Sequence, residues 1–215
     1  MMPDLDRIYD RAFFQEWGPG HERYVRSAEI IADALHQELR PKRLADLGAG
    51  CGVYGRRFAE HGVEVVSIDG VVPPAEHSYP VSIQVRDLTV PFENVWGSFD
   101  LALCLEVAEH IPEALADAFL DNILRFSDRL ILSAAQPNQG GHHHVNEQPK
   151  RYWVRQLAGR GFAYSRRRTG RLETAFRSLR LPHVWMGSQL SVYKRVPADG
   201  RPRQGLPFSV PSPKP

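Results

Sequence analysis

The chain has 215 residues, of which 42% are hydrophobic and 24% are charged, a composition that is ordinary for one globular domain. The formal net charge of +2 and the lack of any apolar run near the ~18 residues of a membrane span argue against nucleic-acid and membrane partners. Because the N-terminus lacks a signal-peptide pattern and two cysteines cannot build a secreted disulfide framework, we expect a soluble, cytoplasmic protein.

The first 40 residues are predicted to form a helical cap. Within them, residues 21–39 carry apolar side chains at the three-to-four spacing of one buried helix face. This helix is expected to end at Arg40, because the residue before Pro41 is pushed out of helical geometry. Four aromatic residues precede the helix and are available to cover a ligand: Tyr9, Phe13, Phe14 and Trp17.

From residue 41 to residue 196, short apolar runs alternate with helical stretches. Strands are predicted at Arg43–Leu47, Val63–Ile68, Val81–Val85, Phe99–Leu105, Arg129–Ser133, Phe162–Tyr164 and Leu190–Lys194. Helices are predicted at Val53–His61, Pro112–Phe126 and Pro149–Arg160. This alternation predicts an α/β fold with a doubly wound, mostly parallel seven-stranded sheet and helices on both faces. Residues 169–186 are expected to form an insertion before the last strand, and the proline-rich residues 197–215 a disordered tail.

A glycine-rich loop follows the first predicted strand and can be read in two registers. Gly50, Gly52 and Gly55 satisfy the G-x-G-x-x-G fingerprint of dinucleotide-binding proteins. A second register, G-x-G-x-G, begins at Gly48 and has Asp46 two residues ahead of it. In both registers the glycines let the backbone turn tightly and approach a ligand without a Cβ in the way.

The charge of the ligand favours the second register. A dinucleotide carries a pyrophosphate, which prefers a helix N-terminus without a nearby negative charge. S-adenosylmethionine (SAM) carries an ammonium and a sulfonium instead, so an acid at the end of the strand favours its binding. This register resembles motif I of the class I SAM-dependent methyltransferases, which have a Rossmann-like fold. The resemblance implies that SAM is bound by Asp46, Gly48, Ala49, Gly50 and Gly52.

The ends of the second and third strands extend this resemblance. Asp69 and Gly70 are similar to the position where the family binds the ribose, and a carboxylate has two oxygens to match two adjacent hydroxyls. Arg86, Asp87 and Leu88 are similar to the segment that contacts the adenine. There the resemblance implies that Asp87 accepts a hydrogen bond from the exocyclic amine.

The segment from Phe99 to Pro112 is the most specific match. Its letters LEVAEHIP closely resemble the fourth strand and following turn of small-molecule members of the family. The resemblance places Leu105, Glu106 and Val107 beside the sulfonium end of SAM and makes His110 face the reaction centre. The Glu109–His110 pair has an alternative role as a capping pair at the start of a helix.

A run of three histidines, at positions 142–144, follows the fifth strand. In open α/β sheets ligands bind beyond the carboxyl ends of the strands, so this loop should border the active site. Adjacent histidines rarely converge on one ion and no carboxylate partner set is evident, so no metal site is predicted. His144 is the preferred general base, with a substrate contact or loop structure as alternatives. The letters GGHHHVNE, followed by Tyr152 and Trp153, resemble a loop in a subset of bacterial family members.

The resemblance covers residues 41–196 and implies methyl transfer from SAM to an oxygen or nitrogen of a small-molecule acceptor. Natural products and sugars, and thus secondary metabolism, are the implied acceptor classes. One alternative is an NAD-dependent oxidoreductase. Another is a nucleic-acid-modifying methyltransferase that uses the basic residues between 150 and 180, which we interpret as a solvated helix face. The N-terminal aromatic residues are expected to cover SAM, and the acceptor pocket is expected to include Arg177, Arg180, His183 and Trp185.

Overall fold

The structure is a computed structural model that describes residues 4–197. The predicted proline-rich tail lies outside the described residues, apart from residue 197. No helix in the described part of the chain is long and apolar enough to cross a membrane.

Seven strands form one sheet in the order β3-β2-β1-β4-β5-β7-β6. Strands β1 to β5 are parallel, whereas β7 runs antiparallel to both β5 and β6. The prediction of a doubly wound, mostly parallel seven-stranded sheet is therefore confirmed, and every strand begins and ends within two residues of its predicted bounds. The strands are β1 Arg43–Leu47, β2 Glu64–Asp69, β3 Ile83–Val85, β4 Leu101–Cys104, β5 Arg129–Leu132, β6 Phe162–Tyr164 and β7 Ser191–Arg195.

Eight α-helices are present in the described residues. They are α1 Leu5–Ile8, α2 Arg11–Glu16, α3 Glu22–Leu39, α4 Val53–Glu60, α5 Ala116–Ile123, α6 Lys150–Gly159, α7 Arg166–Ser178 and α8 Val184–Ser188. Arg40 ends α3 in the left-handed conformation, with φ at 44°, as expected for a residue that Pro41 excludes from helical geometry. The helix predicted over residues 112–126 is shorter than expected, because the chain first makes a 3-10 turn at Glu113–Leu115 and α5 ends at Ile123.

The helices cover both faces of the sheet. On one face, α3, α4 and α7 pack against strand side chains such as Leu44 and Ile131. On the other face, α5 and α6 pack against Ala45, Leu47 and Cys104 at the end of β4. Neighbouring residues of β1 thus point into opposite cores, which is why its sequence is nearly continuous in apolar residues. The two cysteines are free and buried, as expected for small core residues.

The N-terminal segment crosses the carboxyl end of the sheet before α3 begins. Leu5 lies against Gly70 at the end of β2, and Phe14 of α2 is buried. Helix α3 contributes Ile31 and Leu35 to the same apolar cluster as β1 and β4. The boundary of a separate cap at residue 40 therefore remains a prediction.

Candidate active site

The loop after β1 turns through three glycines that occupy the left-handed region. Gly48, Gly50 and Gly52 have φ values of 80°, 53° and 80°. A side chain at any of them would strain the backbone, so the G-x-G-x-G register marks the actual turn. Gly55 lies inside α4, where an added Cβ would come within 2.6 Å of the Ser67 hydroxyl oxygen. Its role is close packing of the helix on β2.

Asp69 closes β2 and fixes the glycine loop. One carboxylate oxygen accepts a hydrogen bond from the Gly50 amide at 2.8 Å, and the other accepts from the Val71 amide at 3.1 Å. Burial raises the pKa of Asp69, while these amide donors act in the opposite direction. The side chain is held rigidly where β1 and β2 end.

Asp46 lies inside β1, next to the same loop. Its side chain is buried and accepts a hydrogen bond from the Gly55 amide at 3.1 Å. Burial, followed by the charge of Asp69, raises the pKa of Asp46 to about 7. The unliganded fold therefore disfavours the carboxylate form and is ready to accept a cationic partner beside it.

This pKa predicts how stability depends on pH in the absence of ligand. Because the folded-state pKa lies above the unfolded one, the contribution of Asp46 is full below the unfolded pKa and is lost as pH rises through about 7. Between about pH 5 and pH 8, Asp46 should lower the free energy of unfolding by on the order of 2 kcal/mol. In Asp46→Asn this decrease should be missing, as measured by urea unfolding at each pH. Identical pH profiles for the two proteins would contradict the prediction.

Two cavities meet at the carboxyl ends of β1 and β4. The first, with a volume of about 130 Å³, is lined by Asp69, Asp87 and apolar side chains. The second, of about 480 Å³, is lined by Asp46, Tyr54 and the histidine loop. Both share the same dividing wall, formed by Phe13, Gly48, Gly50, Glu106 and His110.

Most residues that the resemblance assigns to SAM line these cavities. Those at the first cavity are Gly48, Gly50, Asp69, Gly70, Asp87, Leu88, Glu106 and Val107. Asp46, Ala49 and Leu105 line the second. Asp87 is held in place by Thr89, whose amide and hydroxyl donate to one carboxylate oxygen at 2.8 and 2.6 Å.

Two assigned residues lie elsewhere. Gly52 faces Val81, so its missing Cβ serves packing of the loop and lines neither cavity. The Arg86 guanidinium donates to the Val85 carbonyl at 2.6 Å and lies over the Trp96 ring. Neither residue lines the two cavities, so the assignment of both to SAM stays a prediction.

The aromatic residues of the N-terminal segment cover the site. Tyr9, Phe13 and Phe14 line the first cavity, and Trp17 lines the second together with Phe13. The imidazole of His142 is hydrogen-bonded to the Ile8 carbonyl at 2.7 Å, which ties the segment to the histidine loop. These aromatics line the two cavities, and their covering of SAM stays a prediction.

The three adjacent histidines point in different directions. His142 contacts the N-terminal segment, His143 lines the first cavity, and His144 lines the second. The Nδ1 atom of His144 lies 2.9 Å from a carboxylate oxygen of Glu147. The ring of His144 makes an edge contact with His110, with 5.0 Å between centroids. The run therefore does not converge on one point, but His144 does meet His110.

His110 lies in a 3-10 turn, Ala108–His110, directly after β4. Burial, followed by the charge of His144, lowers the pKa of His110 to about 4. Its Nδ1 atom has no hydrogen-bond partner. The imidazole is thus neutral at ordinary pH and available to bind a proton, a ligand or a metal ion.

Glu109 was missed as a site residue in the sequence analysis. Its side chain is 1% exposed, and one carboxylate oxygen accepts from the Ala135 amide at 3.1 Å. Its backbone carbonyl accepts from the amides of Val145 and Asn146 at 3.0 and 2.9 Å, which fixes the histidine loop to the turn after β4. Burial raises the pKa of Glu109. The alternative role of Glu109 as a helix cap is therefore not observed. Glu109 instead connects two loops.

The backbone at Glu106 is strained. Its φ of 56° is unusual for a residue other than glycine, and such outliers are frequent at functional sites. The Glu106 amide donates to the Ser133 hydroxyl at 3.1 Å, and the Oε1 atom has no partner. Burial raises the pKa of Glu106, and the nearby Glu109 raises it further.

Of the residues expected in an acceptor pocket, Trp185 alone lines the second cavity. Arg177 and Arg180 lie at a separate surface depression beside α7. His183 instead packs on His21 and Trp185, with centroid distances of 5.4 and 5.7 Å.

The curated proteins that match this chain include ubiquinone biosynthesis O-methyltransferases and a glycine–tRNA ligase beta subunit of Limosilactobacillus reuteri, which is 24% identical over 135 residues, 58% of this chain and 20% of that protein. No protein-family model matches the chain. A ubiquinone biosynthesis O-methyltransferase of Pseudomonas aeruginosa (strain LESB58) is 29% identical over 122 residues, which are 53% of this chain and 49% of that protein. The chain thus spans about half the length of these curated O-methyltransferases.

Solved structures match over more of the chain. The 1,6-didemethyltoxoflavin-N1-methyltransferase of Burkholderia thailandensis, solved with S-adenosylhomocysteine, has a TM-score of 0.59 and 17% identity and covers 89% of both chains. Magnesium protoporphyrin IX methyltransferase of Synechocystis PCC 6803 has a TM-score of 0.54 and 20% identity, covering 75% of this chain and 84% of the other. At these identities the likeness establishes the fold. The chain is thus similar in fold to methyltransferases that were solved with bound S-adenosylhomocysteine.

Proposed function

We propose that the chain is an enzyme that binds SAM and transfers its methyl group to an oxygen or nitrogen of a small-molecule acceptor. The main supporting observation is the pair of joined cavities at the carboxyl ends of β1 and β4. They share a wall at Gly48, Gly50, Glu106 and His110. A donor and an acceptor can therefore meet without solvent between them.

The residues present fit SAM better than a dinucleotide. Neither cavity is lined by a lysine or an arginine, so a pyrophosphate would have only backbone amides to offset its charge. Instead the cavities have acidic side chains, with Asp69 and Asp87 at the first and Asp46 at the second. An added Cβ on Gly50 would meet no protein atom within 4 Å, so the backbone is open to a ligand at that point. These features argue against an NAD-dependent oxidoreductase.

In this proposal the adenosine part of SAM occupies the first cavity. Asp69 binds the ribose hydroxyls, and Asp87 lies within reach of the adenine, whose faces contact Val71 and Leu88. The methionine part extends to the second cavity, where its ammonium offsets the buried charge of Asp46. When bound, SAM supplies an electrophilic methyl group, which the acceptor takes by in-line displacement to leave S-adenosylhomocysteine.

The protein's own contribution is alignment, exclusion of water and removal of one proton. The aromatic cover of Tyr9, Phe13 and Trp17 excludes water from above. Holding two reactants in line can contribute ~7–11 kcal/mol in favourable cases. His110 and His144 face the acceptor side, and either neutral imidazole can accept the proton that the acceptor loses.

The second cavity favours a small acceptor over a nucleic acid. Its volume of about 480 Å³ and its aromatic walls, with Tyr24 and Trp185, suit a compact metabolite. The basic residues between 150 and 180 lie outside it, and three of them are ion-paired. The pairs are Lys150 with Glu173 at 3.5 Å, Arg160 with Asp121 at 2.9 Å and Arg171 with Glu38 at 3.3 Å.

Release of S-adenosylhomocysteine in the presence of candidate acceptors, with product mass increased by one methyl group, tests the proposal. With a working acceptor, His144→Ala should lower kcat by about 10²- to 10⁴-fold, because proton removal is lost. The SAM dissociation constant should stay unchanged in calorimetry. As a control, His36→Ala changes an imidazole at the amino end of the sheet, stacked on His61, and should keep full activity. Equal kcat values for His144→Ala and wild type would contradict this role.

A further inference from the structure

Two imidazoles and a buried carboxylate converge on the boundary between the two cavities. One ligand atom each from Glu109, His110 and His144 lies within 4.8 Å of the others. His110 lines both cavities, and Glu109 and His144 line the second. We propose that these three residues bind one divalent first-row transition-metal ion.

The type of ligand fits this class of ion. Two histidines and one carboxylate form a common set for Zn²⁺, Fe²⁺, Mn²⁺ and Co²⁺, and a three-residue set leaves coordination positions open. Magnesium and calcium prefer oxygen ligands and fit two imidazoles poorly. The chemistry of the cluster therefore selects a transition metal.

The cluster is prearranged by the backbone. Glu109 and His110 come from the turn after β4, whereas His144 comes from the loop after β5. The two hydrogen bonds from Val145 and Asn146 to the Glu109 carbonyl hold these loops together. Backbone hydrogen bonds, rather than a flexible side-chain contact, therefore set the spacing between the two loops that carry the three ligands.

Unpartnered polar atoms provide an independent observation. The Oε2 atom of Glu109 and the Nδ1 atom of His110 are buried and have no hydrogen-bond partner. The Glu106 carboxyl lines the same cavity and is close enough to share a hydrogen bond with Glu109, so a cation bound there would compete with a proton for this pair. Leaving a buried carboxylate oxygen unpaired is costly, and a bound cation removes that cost.

The surroundings of His144 match those of a metal ligand. Its Nδ1 atom contacts the Glu147 carboxylate, which leaves Nε2 free to bind an ion. Metal-bound histidines usually have such a carboxylate on their second nitrogen, because it fixes the ring and the tautomer. Glu147 also accepts from the Gly140 amide at 2.7 Å, so it is itself held in place.

An ion at this point would replace proton acceptance by the imidazoles. It would coordinate an acceptor oxygen beside the methyl donor and lower the pKa of that hydroxyl, so that the acceptor gives up its proton to solvent as it enters the cavity, before methyl transfer. This consequence rests on the proposed function, whereas metal binding itself does not. The three adjacent histidines alone predicted no metal site. Glu109 and His110 lie far from them in the chain, so the sequence does not show that they meet.

The test is a titration of the full chain with CoCl₂ after removal of bound metal by EDTA and dialysis. Calorimetry and the visible absorption of Co²⁺ follow binding without any acceptor. We expect one saturable site per chain. Glu109→Gln and His144→Ala should each weaken it by at least ~30-fold, since loss of even a supporting residue costs ~10- to 100-fold.

His36→Ala is the matched control, since it removes an imidazole from the stacked His36–His61 pair at the opposite edge of the sheet. Its Co²⁺ affinity should equal that of wild type. The proposal is wrong if wild type shows no saturable site, if both cluster variants bind as wild type does, or if His36→Ala abolishes binding. Circular dichroism shows whether Glu109→Gln is folded, and His144→Ala, in a surface loop, serves if it is not. SAM titration of the metal-free protein tests the proposed function separately.

Discussion

Asp69→Ala is expected to weaken SAM binding by about 30-fold or more. The carboxylate is the group that we assign to the ribose hydroxyls, and a hydrogen bond to a charged group contributes ~1.5–3 kcal/mol. The same change removes the acceptor of the Gly50 and Val71 amides, so the glycine loop also loses its anchor. Calorimetric titration of SAM into wild type and variant measures the difference directly.

Asp100→Ala is the control for the loss of a carboxylate that accepts hydrogen bonds from backbone amides. It accepts hydrogen bonds from the amides of Lys42 and Arg43 at 2.8 and 3.0 Å, at the amino end of the sheet. Asp100→Ala thus removes a similar backbone contact far from both cavities. It should lower the melting temperature and leave the SAM dissociation constant unchanged. If Asp69→Ala and Asp100→Ala affected SAM equally, Asp69 would have no direct role in binding.

The second large effect is expected at Gly50. Gly50→Ala should still fold, because its Cβ meets no protein atom within 4 Å. The left-handed backbone should lower its free energy of unfolding by ~1–2 kcal/mol. The same methyl group would project into the space that we assign to SAM. Overpacking of that kind costs ~1–3 kcal/mol, so affinity should fall roughly 5- to 150-fold.

Gly48→Ala separates ligand exclusion from damage to the fold. Its Cβ would overlap the Cγ2 atom of Val107, a protein atom rather than open space. We therefore expect Gly48→Ala to lower the melting temperature of the unliganded protein more than Gly50→Ala does. Gly50→Ala should have the larger ratio of lost affinity to lost stability. Unchanged SAM binding by Gly50→Ala would show that SAM does not approach this loop.

The sheet could be predicted because its signals are local. Apolar runs such as Arg43–Leu47 end at glycines or acids, and alternation with helices implies parallel strands. The turn at Gly48 and the acid at Asp69 were found for the same reason, since a glycine loop and a strand-terminal acid are visible in a few consecutive letters. The resemblance then gave these residues a chemical role.

The cluster of Glu109, His110 and His144 could not be predicted in the same way. His144 is more than thirty positions from Glu109 and His110, and only the parallel pairing of β4 with β5 brings their loops together. A possible signal was the acid directly before His110, which the sequence alone cannot distinguish from a helix cap. The guanidinium of Arg86 lies over the Trp96 ring, which could not be predicted because the sequence does not show which way an exposed strand-end side chain points.

The hydrogen bond between His142 and the Ile8 carbonyl bears on how products would leave the site. Helices α1 and α2 line the cavities and are held by this hydrogen bond, by the Arg11–Glu76 ion pair at 2.8 Å and by the contact of Leu5 with Gly70. In the proposed function, S-adenosylhomocysteine and the methylated product both leave past this segment. Their dissociation rates should therefore rise together when the His142 contact is removed.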